Sequence, residues 1–540
     1  MAQPLQSINL VAPAFKGVNT EDSPLAQDPS FADIADNAVI DKRGRIAARK
    51  GYKAITTSKT ELGSDRIHKM NYFYDNTGAS KLFSVGNNKI LSGTDVLVDE
   101  SQAIVNAGYS ISANNWKMVN FNEKAYFFQR GHEPLVYDST NGLRTFEGAT
   151  GSPTNSNLYC HEALGAYGRL WVTDSGSNRQ TIYWSDLLIG TDFFNGSSGS
   201  IDVSKVWPDG HDEIRALAAH NNLLIVFGKH SIIVYQGANS PANMSLADTI
   251  GGLGCICRNS IQHIGSDVLF ISNSGLRSFG RVVEEKSMPI SDLSISIKTE
   301  FIEAIESRIQ PTSSVYSPEN SFYLVTFQEQ NITYCFDLKT RLESGGYRVT
   351  RWPSSIFAAF ERTPNGTLYV GSANGVGEYD GYQDNGQPYR FRYYSPGLTF
   401  GDPSSLKILK KLRPTVIGAN NSTVVLYWSY DLSENYKSQA YVTGNQVVYY
   451  FSDPRDLDVI DPATNENLKI FQNGLAQFPD IDGTPNPKFS EFTSGVLTSR
   501  KVVNATGNGS ILTIGMEADI NGFPLSLQEI NVLVLMGKTI

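Results

Sequence analysis

Seven segments of the sequence repeat one pattern: a short apolar strand, a polar turn, and usually a second strand closing on an aromatic or small polar cluster. They are KLFSVGNNKILSG from Lys81, KAYFFQRGHEPLVYDS from Lys124, RLWVTDSGSNRQTIYWSD from Arg169 and NLLIVFGKHSIIVYQG from Asn222. DVLFISNSGLRSFG from Asp267, SFYLVTFQEQNITYCFD from Ser321 and GTLYVGSANGVGEYDG from Gly366 complete the series. Matching positions fall at 82, 125, 170, 223, 268, 322 and 368, with successive gaps of 43, 45, 53, 45, 54 and 46. Four of these gaps lie near the ~40–50 residues of a four-stranded propeller blade. A lone hairpin would expose an apolar face and an unpaired edge, whereas hairpins set radially around an axis cover one another. The spacing therefore predicts a β-propeller of six or seven blades over residues 62–390. Independent sandwich hairpins that happen to be evenly spaced are the alternative.

Both long gaps contain an insertion. One holds NGSSGS (195–200). The other holds SDLSISIKTEFIEAIESRI (291–309), where Ile297, Phe301, Ile305 and Ile309 recur every four residues and line one face of a predicted helix. After residue 391 the rhythm changes to longer strands (422–431, 446–453, 509–520 and 528–538) with wide Asn-, Asp-, Pro- and Gly-rich loops. This predicts a separate β-rich domain over 391–540, completed by the N-terminal part, residues 1–61. The 26 Tyr, 27 Phe and 47 Gly suit short strands joined by many turns, so the fold class is all-β.

The formal charge of −9 argues against general affinity for nucleic acid, which rests on neutralising phosphates with Lys and Arg. Cys160, Cys255, Cys257 and Cys335 are too scattered for a zinc site and too few for a disulfide scaffold, so they read as buried thiols. The start shows no charged and apolar leader, and no run reaches the ~18 apolar residues of a membrane helix. The expectation is a soluble protein made in the cytoplasm.

The sequence carries no complete catalytic pattern. No segment matches the Asp-box of sialidase propellers, and IYWSD (182–186) occurs once where a YWTD-type propeller repeats it in each blade. In GHDE, His211, Asp212 and Glu213 are sequence neighbours in a Gly/Pro-rich loop, a poor geometry for an acid–base pair. The histidines show no HxH or HExxH spacing, and GKT at 537–539 lacks the leading glycine of a phosphate loop, having Val532 there. The reading is no catalytic site, no metal and no cofactor.

The N-terminal stretch FKGVNTEDSPLAQDPSFADIADNAVIDKRGRIAARKGYKAI resembles the opening of the tail nozzle (tail tubular or packaged-DNA stabilisation) proteins of short-tailed bacteriophages. The matching residues are Gly17, Val18, Asn19, Thr20, Ser23 and Pro24, then Asn37, then Gly44, Ile46, Arg49, Gly51 and Tyr52; Lys16 stands where the family has a second glycine. The closing GMEADINGFPLSLQEINVLVLMGKT (515–539) is similar to the last strands of such proteins. The resemblance implies a platform made by both chain ends with a propeller inserted between them. It implies a homo-hexamer below the portal that binds the adaptor (head-to-tail connector) ring and tail fibres or spikes. In the virion tail this ring would retain packaged double-stranded DNA and conduct it at ejection without sequence-specific contact. Six acidic copies would suit a channel that repels phosphates.

Within this frame the basic run Arg43, Arg45, Arg49 and Lys50 is expected to meet acidic neighbours, either Asp33, Asp36 and Asp41 or a partner ring, as an assembly joint. Gly17, Asn19, Ser23, Pro24, Gly44, Gly51 and Tyr52 would shape the same joint. Two loops are candidate channel gates: 195–200, and 237–251 with Asn239, Asn243 and Asp248. The competing functions are an extracellular propeller that binds or hydrolyses glycans, and a peptide-binding scaffold of the WD or kelch kind, whose repeat dipeptides are missing here.

Overall fold

The computed structural model describes residues 6–146, 158–175, 178–265, 267–285, 292–307, 312–353, 357–444, 471–472, 475–476 and 498–539. The chain divides into two compact units, Gly51–Asp380 and a terminal unit made of Met1–Lys50 with Gly381–Ile540.

Gly51–Asp380 is a β-propeller. Among the described residues it has six four-stranded antiparallel blades and one of three strands, the fifth. Consecutive blades meet along their first strands, with the turn Arg258–Ser260 serving in the fifth, and the seventh lies against the first. All seven hairpins read from the sequence are the second and third strands of successive blades. These middle strands are the ones buried on both faces, as in Phe322–Phe327, where every residue is buried. That explains why they carry the apolar signal. Apolar and aromatic side chains pack neighbouring blades against one another. Phe83 of the first blade and Phe127 of the second meet edge to face with centroids 5.2 Å apart.

The seventh blade is completed from the other end of the propeller. Its strands Ala359–Arg362, Leu368–Ser372 and Gly375–Glu378 are joined by Lys53–Ala54, which pairs antiparallel with Gly377–Glu378. Gly377 permits this closure, since a Cβ there would come within 2.6 Å of the Tyr52 ring. Residues 51–61, grouped by sequence with the N-terminal arm, thus lie with the propeller.

The predicted helix is present as Lys298–Glu306, preceded by a 3-10 turn Ile295–Ile297. Ile297, Phe301 and Ile305 are buried, and Phe301 packs edge-on against Phe327, Tyr334 and Phe336. Ile309 lies outside the described residues. Of the NGSSGS insertion, Gly199 and Ser200 begin the fourth strand of the third blade.

Among the described residues the terminal unit contains two large antiparallel sheets and a two-stranded one, Phe471–Gln472 with Leu475–Ala476. In one, the closing strand Leu525–Thr539 pairs along one edge with Ser405–Gly418. Along the other edge it pairs with Gln6–Val11 and, at Ser526, with Ala47. In the other, Ile34–Asp36, Tyr389–Tyr394, Leu512–Ile520, Thr423–Tyr430 and Lys437–Val442 lie side by side. Leu512, Ile514, Met516, Ala518 and Ile520 are all buried, the period-two spacing of a strand facing a core. The strand expected at 446–453 lies outside the described residues.

Candidate functional site

The N-terminal motif residues prove to be builders of the terminal unit. Gly17 takes a left-handed φ of 83° and its carbonyl accepts the Ala32 N–H at 2.9 Å. Asn19 is buried; its Oδ1 accepts the N–H groups of Glu21 and Asp22, and its Nδ2 donates to Asp22 at 2.7 Å. The Ser23 carbonyl accepts from Ala26 and Gln27, and the Pro24 carbonyl accepts the Gly397 N–H at 3.0 Å. Lys16, at the position of the missing glycine, pairs with Asp28 at 2.6 Å.

The basic run splits into three fates. Arg45 turns back on Asp41 at 2.6 Å and reaches Gln528. Burial alone would raise the Asp41 carboxyl, but hydrogen bonds from the Arg45 side chain and from the Arg45 and Arg43 N–H groups hold it below the usual range. The turn needs Gly44 at φ 77°, where a Cβ would lie 3.1 Å from the Phe15 ring.

Arg49 is only 3% exposed and forms a two-pronged pair with Asp384, at 2.9 and 2.6 Å. Its Nε donates to Asn37 Oδ1 at 3.0 Å, and its guanidinium lies 4.2 Å from the centre of the Tyr389 ring. Asn37, itself left-handed at φ 52°, donates to the Arg390 carbonyl. Asp384, rather than the expected Asp33 or Asp36, takes both of these prongs; Asp36 faces Arg392 at 3.3 Å. Arg49 is therefore a buried clamp inside one chain, because a guanidinium surrounded by a carboxylate, an amide and an aromatic face has no edge left for a partner.

Lys42 and Arg43 remain exposed, and neither forms an ion pair among the described residues. Lys50 is half-buried. Gly51 and Tyr52 belong to the propeller: Tyr52 is buried edge-on to Phe357 and its hydroxyl accepts from Asn374 at 3.0 Å.

The proposed gate segment 237–251 is corrected in part. Ser245–Ile250, which includes Asp248, is the fourth strand of the fourth blade, with Asp248 opposite Val234. Its side chains are mostly exposed, so no apolar alternation marks it as a strand in the sequence. Asn239 and Asn243 do lie in an exposed connection, where Asn243 bonds back to Ser240. In the other loop, Asp192 accepts the Asn195 N–H and Asp186 accepts the Ser197 N–H, which braces the turn.

A polar cluster at the propeller axis escaped the sequence reading. Arg258, 7% exposed in the fifth blade, reaches across to the second and third: it donates to the Asn115 carbonyl at 2.6 Å, to Asn115 Oδ1 at 3.0 Å and to the His161 carbonyl. Lys117 and buried Glu162 pair at 2.6 Å beside it. His161 is driven down to about 2 by burial and then by the cations Arg258, Arg130 and Lys117, so it is neutral at physiological pH. Counting back eight residues from the hairpin positions 125, 170, 223 and 322 lands on Lys117, Glu162, Arg215 and Ser314, the polar members of first strands. That offset was the available signal. Among the described residues no group of three His, Cys, Asp or Glu side chains is placed to hold a metal, and no helix is long and apolar enough to cross a membrane.

Glu361 of the seventh blade accepts the Tyr72 N–H at 3.0 Å. Burial raises its carboxyl to about 7, against the opposing pull of that N–H and of Lys69. The folded state thus keeps a proton that the unfolded chain releases near the ordinary Glu range, and stability falls as pH climbs from there through about 7. Glu361→Gln should therefore gain melting temperature relative to the parent at pH 8 and not at pH 4. Equal differences at both pH values would contradict the protonated folded form.

No protein-family profile matches the chain, and no curated protein sequence matches it. Among solved structures it is similar to PorZ, a bacterial surface component of the type-IX secretion system of Porphyromonas gingivalis. That match has 12% identity over 64% of this chain and 43% of PorZ, with a TM-score of 0.34. The extracellular domain of a putative hybrid two-component system from B. thetaiotaomicron matches at 11% identity over 80% of this chain and 52% of that one, TM-score 0.38. The Neurospora crassa Pan2 WD40 domain matches at 8% identity over 62% and 95%, TM-score 0.33. The chain spans about half the length of the first two. Scores this low carry no argument about function, and the propeller stands on its own sheets.

Proposed function

We propose that the chain is a non-catalytic structural protein of a short-tailed phage virion, a tail nozzle. Six copies would dock under the adaptor ring, retain the packaged duplex and conduct it at ejection. The observation that carries this reading is the nesting of its parts. The propeller Gly51–Asp380 is inserted into a unit built from both chain ends, whose first strand Gln6–Val11 pairs with the closing strand at Glu529–Val534. That is the order of parts the N- and C-terminal resemblance implies. The docking role passes to the exposed cations Lys42 and Arg43, on the turn that Asp41 and Gly44 shape.

The test is negative-stain imaging of the full chain mixed with the cognate adaptor. Six-fold rings with a central pore are expected, and the double reversal Lys42→Glu/Arg43→Glu should deplete them while leaving the melting temperature unchanged. A chain that stays monomeric with the adaptor present, or that shortens a polysaccharide, overturns the reading.

A further inference from the structure

A cleft of about 600 Å³ opens in the terminal unit between two turns. One turn precedes the strand Thr423–Tyr430 and the other links Leu512–Ile520 to Leu525–Thr539. Both are held in shape. Gly418, Ala419 and Asn421 have φ of 82°, 56° and 48°, and Gly522 has φ 86°. The Ala419 N–H donates to the Pro524 carbonyl at 2.6 Å, tying one turn to the other, and the Gly522 N–H donates to the Tyr382 carbonyl at 2.8 Å. The frame is therefore built before any ligand arrives, which lowers the ordering cost of binding.

Two of the groups facing the cleft are uncommitted and two more keep one polar atom to spare. Asn421 and Thr423 make no side-chain hydrogen bond among the described residues. Asn521 Oδ1 accepts from Gln383 at 2.5 Å, leaving its amide NH₂ available. Asp519 takes Arg390 on Oδ1 at 2.8 Å and keeps Oδ2 as an acceptor. Phe523 is 37% exposed and, with Pro388, supplies the apolar part of the wall.

This combination selects by chemistry. Among the described residues Asp519, already paired with Arg390, is the charged member of the lining and no Lys or Arg lines the cleft, so a phosphate or carboxylate would find no counter-charge there. The lining is too polar for a lipid. Amide donors, a carboxylate acceptor and a hydroxyl that does both can serve the vicinal hydroxyls of one ligand. An aromatic ring beside them offers a flat apolar face to a ligand's C–H groups. The volume is inside the ~300–1,000 Å³ of small-molecule sites. From this geometry we infer that the cleft is a binding site for a neutral saccharide, stacked on Phe523 and hydrogen-bonded by Asn421, Thr423, Asp519 and Asn521. The inference is independent of the nozzle reading, since neither the cleft nor its test involves ring assembly.

Saturation-transfer NMR on the full-length protein with glucose, galactose, mannose and N-acetylglucosamine tests it. At least one sugar should receive saturation on its ring protons at millimolar concentration. Binding should weaken at least ten-fold in Phe523→Ala and in Asn421→Gly, the latter chosen because glycine adopts φ 48° without strain. Melting curves of both variants should match the parent, as the side chains are exposed. Absence of transfer to all four sugars, or undiminished transfer in the Asn421→Gly/Phe523→Ala double variant, overturns the assignment. So does glucose 6-phosphate binding more tightly than glucose.

Discussion

Arg49→Glu should cost the terminal unit about 4 kcal/mol, the range seen when one member of a buried ion pair is removed. The substitution sets a carboxylate against Asp384, where two charge-assisted hydrogen bonds had been, and removes the cation from the face of Tyr389. It also leaves Asn37 Oδ1 without its donor, and Asn37 is the left-handed residue that holds the Arg390 carbonyl. Arg49→Lys keeps the charge but loses the two-pronged geometry and most of the stacking, so it should fall between, at about 2 kcal/mol. Urea denaturation followed by tyrosine fluorescence reads both. Wild-type stability in Arg49→Glu would refute the clamp. For tests of the proposed ring, failure to assemble in an Arg49 variant would report a damaged fold, so Lys42 and Arg43 are the residues with which to test docking.

The second large effect is expected at the propeller axis. Arg258→Ala should destabilise the propeller by about 3 kcal/mol, because the carbonyls of Asn115 and His161 lose their donor in a buried place. Glu162 would also lose one of the cations beside it while keeping its pair with Lys117. The loss should appear as a lower urea midpoint with a two-state slope matching the parent. A variant as stable as the parent would mean that the cost of burying the guanidinium cancels what its hydrogen bonds contribute, as buried ions sometimes do. In that case the strut would be dispensable to the ring.

How much of this was legible in the sequence depends on what each residue packs against. The hairpin strands were legible because, in a blade, the second and third strands are covered on both sides; Phe322–Phe327 could hardly be mistaken. The first strands face a polar axis and the fourth face solvent, so Lys117–Phe121 and Ser245–Ile250 carry little apolar periodicity. The latter therefore reads as a loop in the sequence. The helix was legible down to its buried face, since Phe301 and Ile305 repeat at one turn. The fate of Arg49 was not. Its partner Asp384 lies 335 positions along the chain, and the local acid the sequence offered, Asp41, is taken by Arg45 instead. A run of positive charge in a sequence says nothing about which members are buried. Here Arg45 and Arg49 turn inward and the two side chains around the tip stay in water. The cleft beside Phe523 was equally invisible, because its walls come from turns about a hundred residues apart whose Asn and Gly read only as loop chemistry.

The pairing of Lys53–Ala54 with Gly377–Glu378 has a consequence in time as well as in space. During synthesis the strand that shuts the ring emerges before any of the blades and its acceptor among the last residues of the propeller. Six blades can therefore form while the seventh still presents an open edge. Closing so long a loop is slow compared with hairpin formation, and an open edge accepts any strand of matching pattern. Where copies of this chain are made close together, the nearest such strand is the same segment of another copy, and exchange between copies is a low-cost route to a misjoined pair. The short, half-polar strand Lys53–Ala54 makes such an exchange shallow and reversible, whereas a long apolar strand at that position would make it permanent.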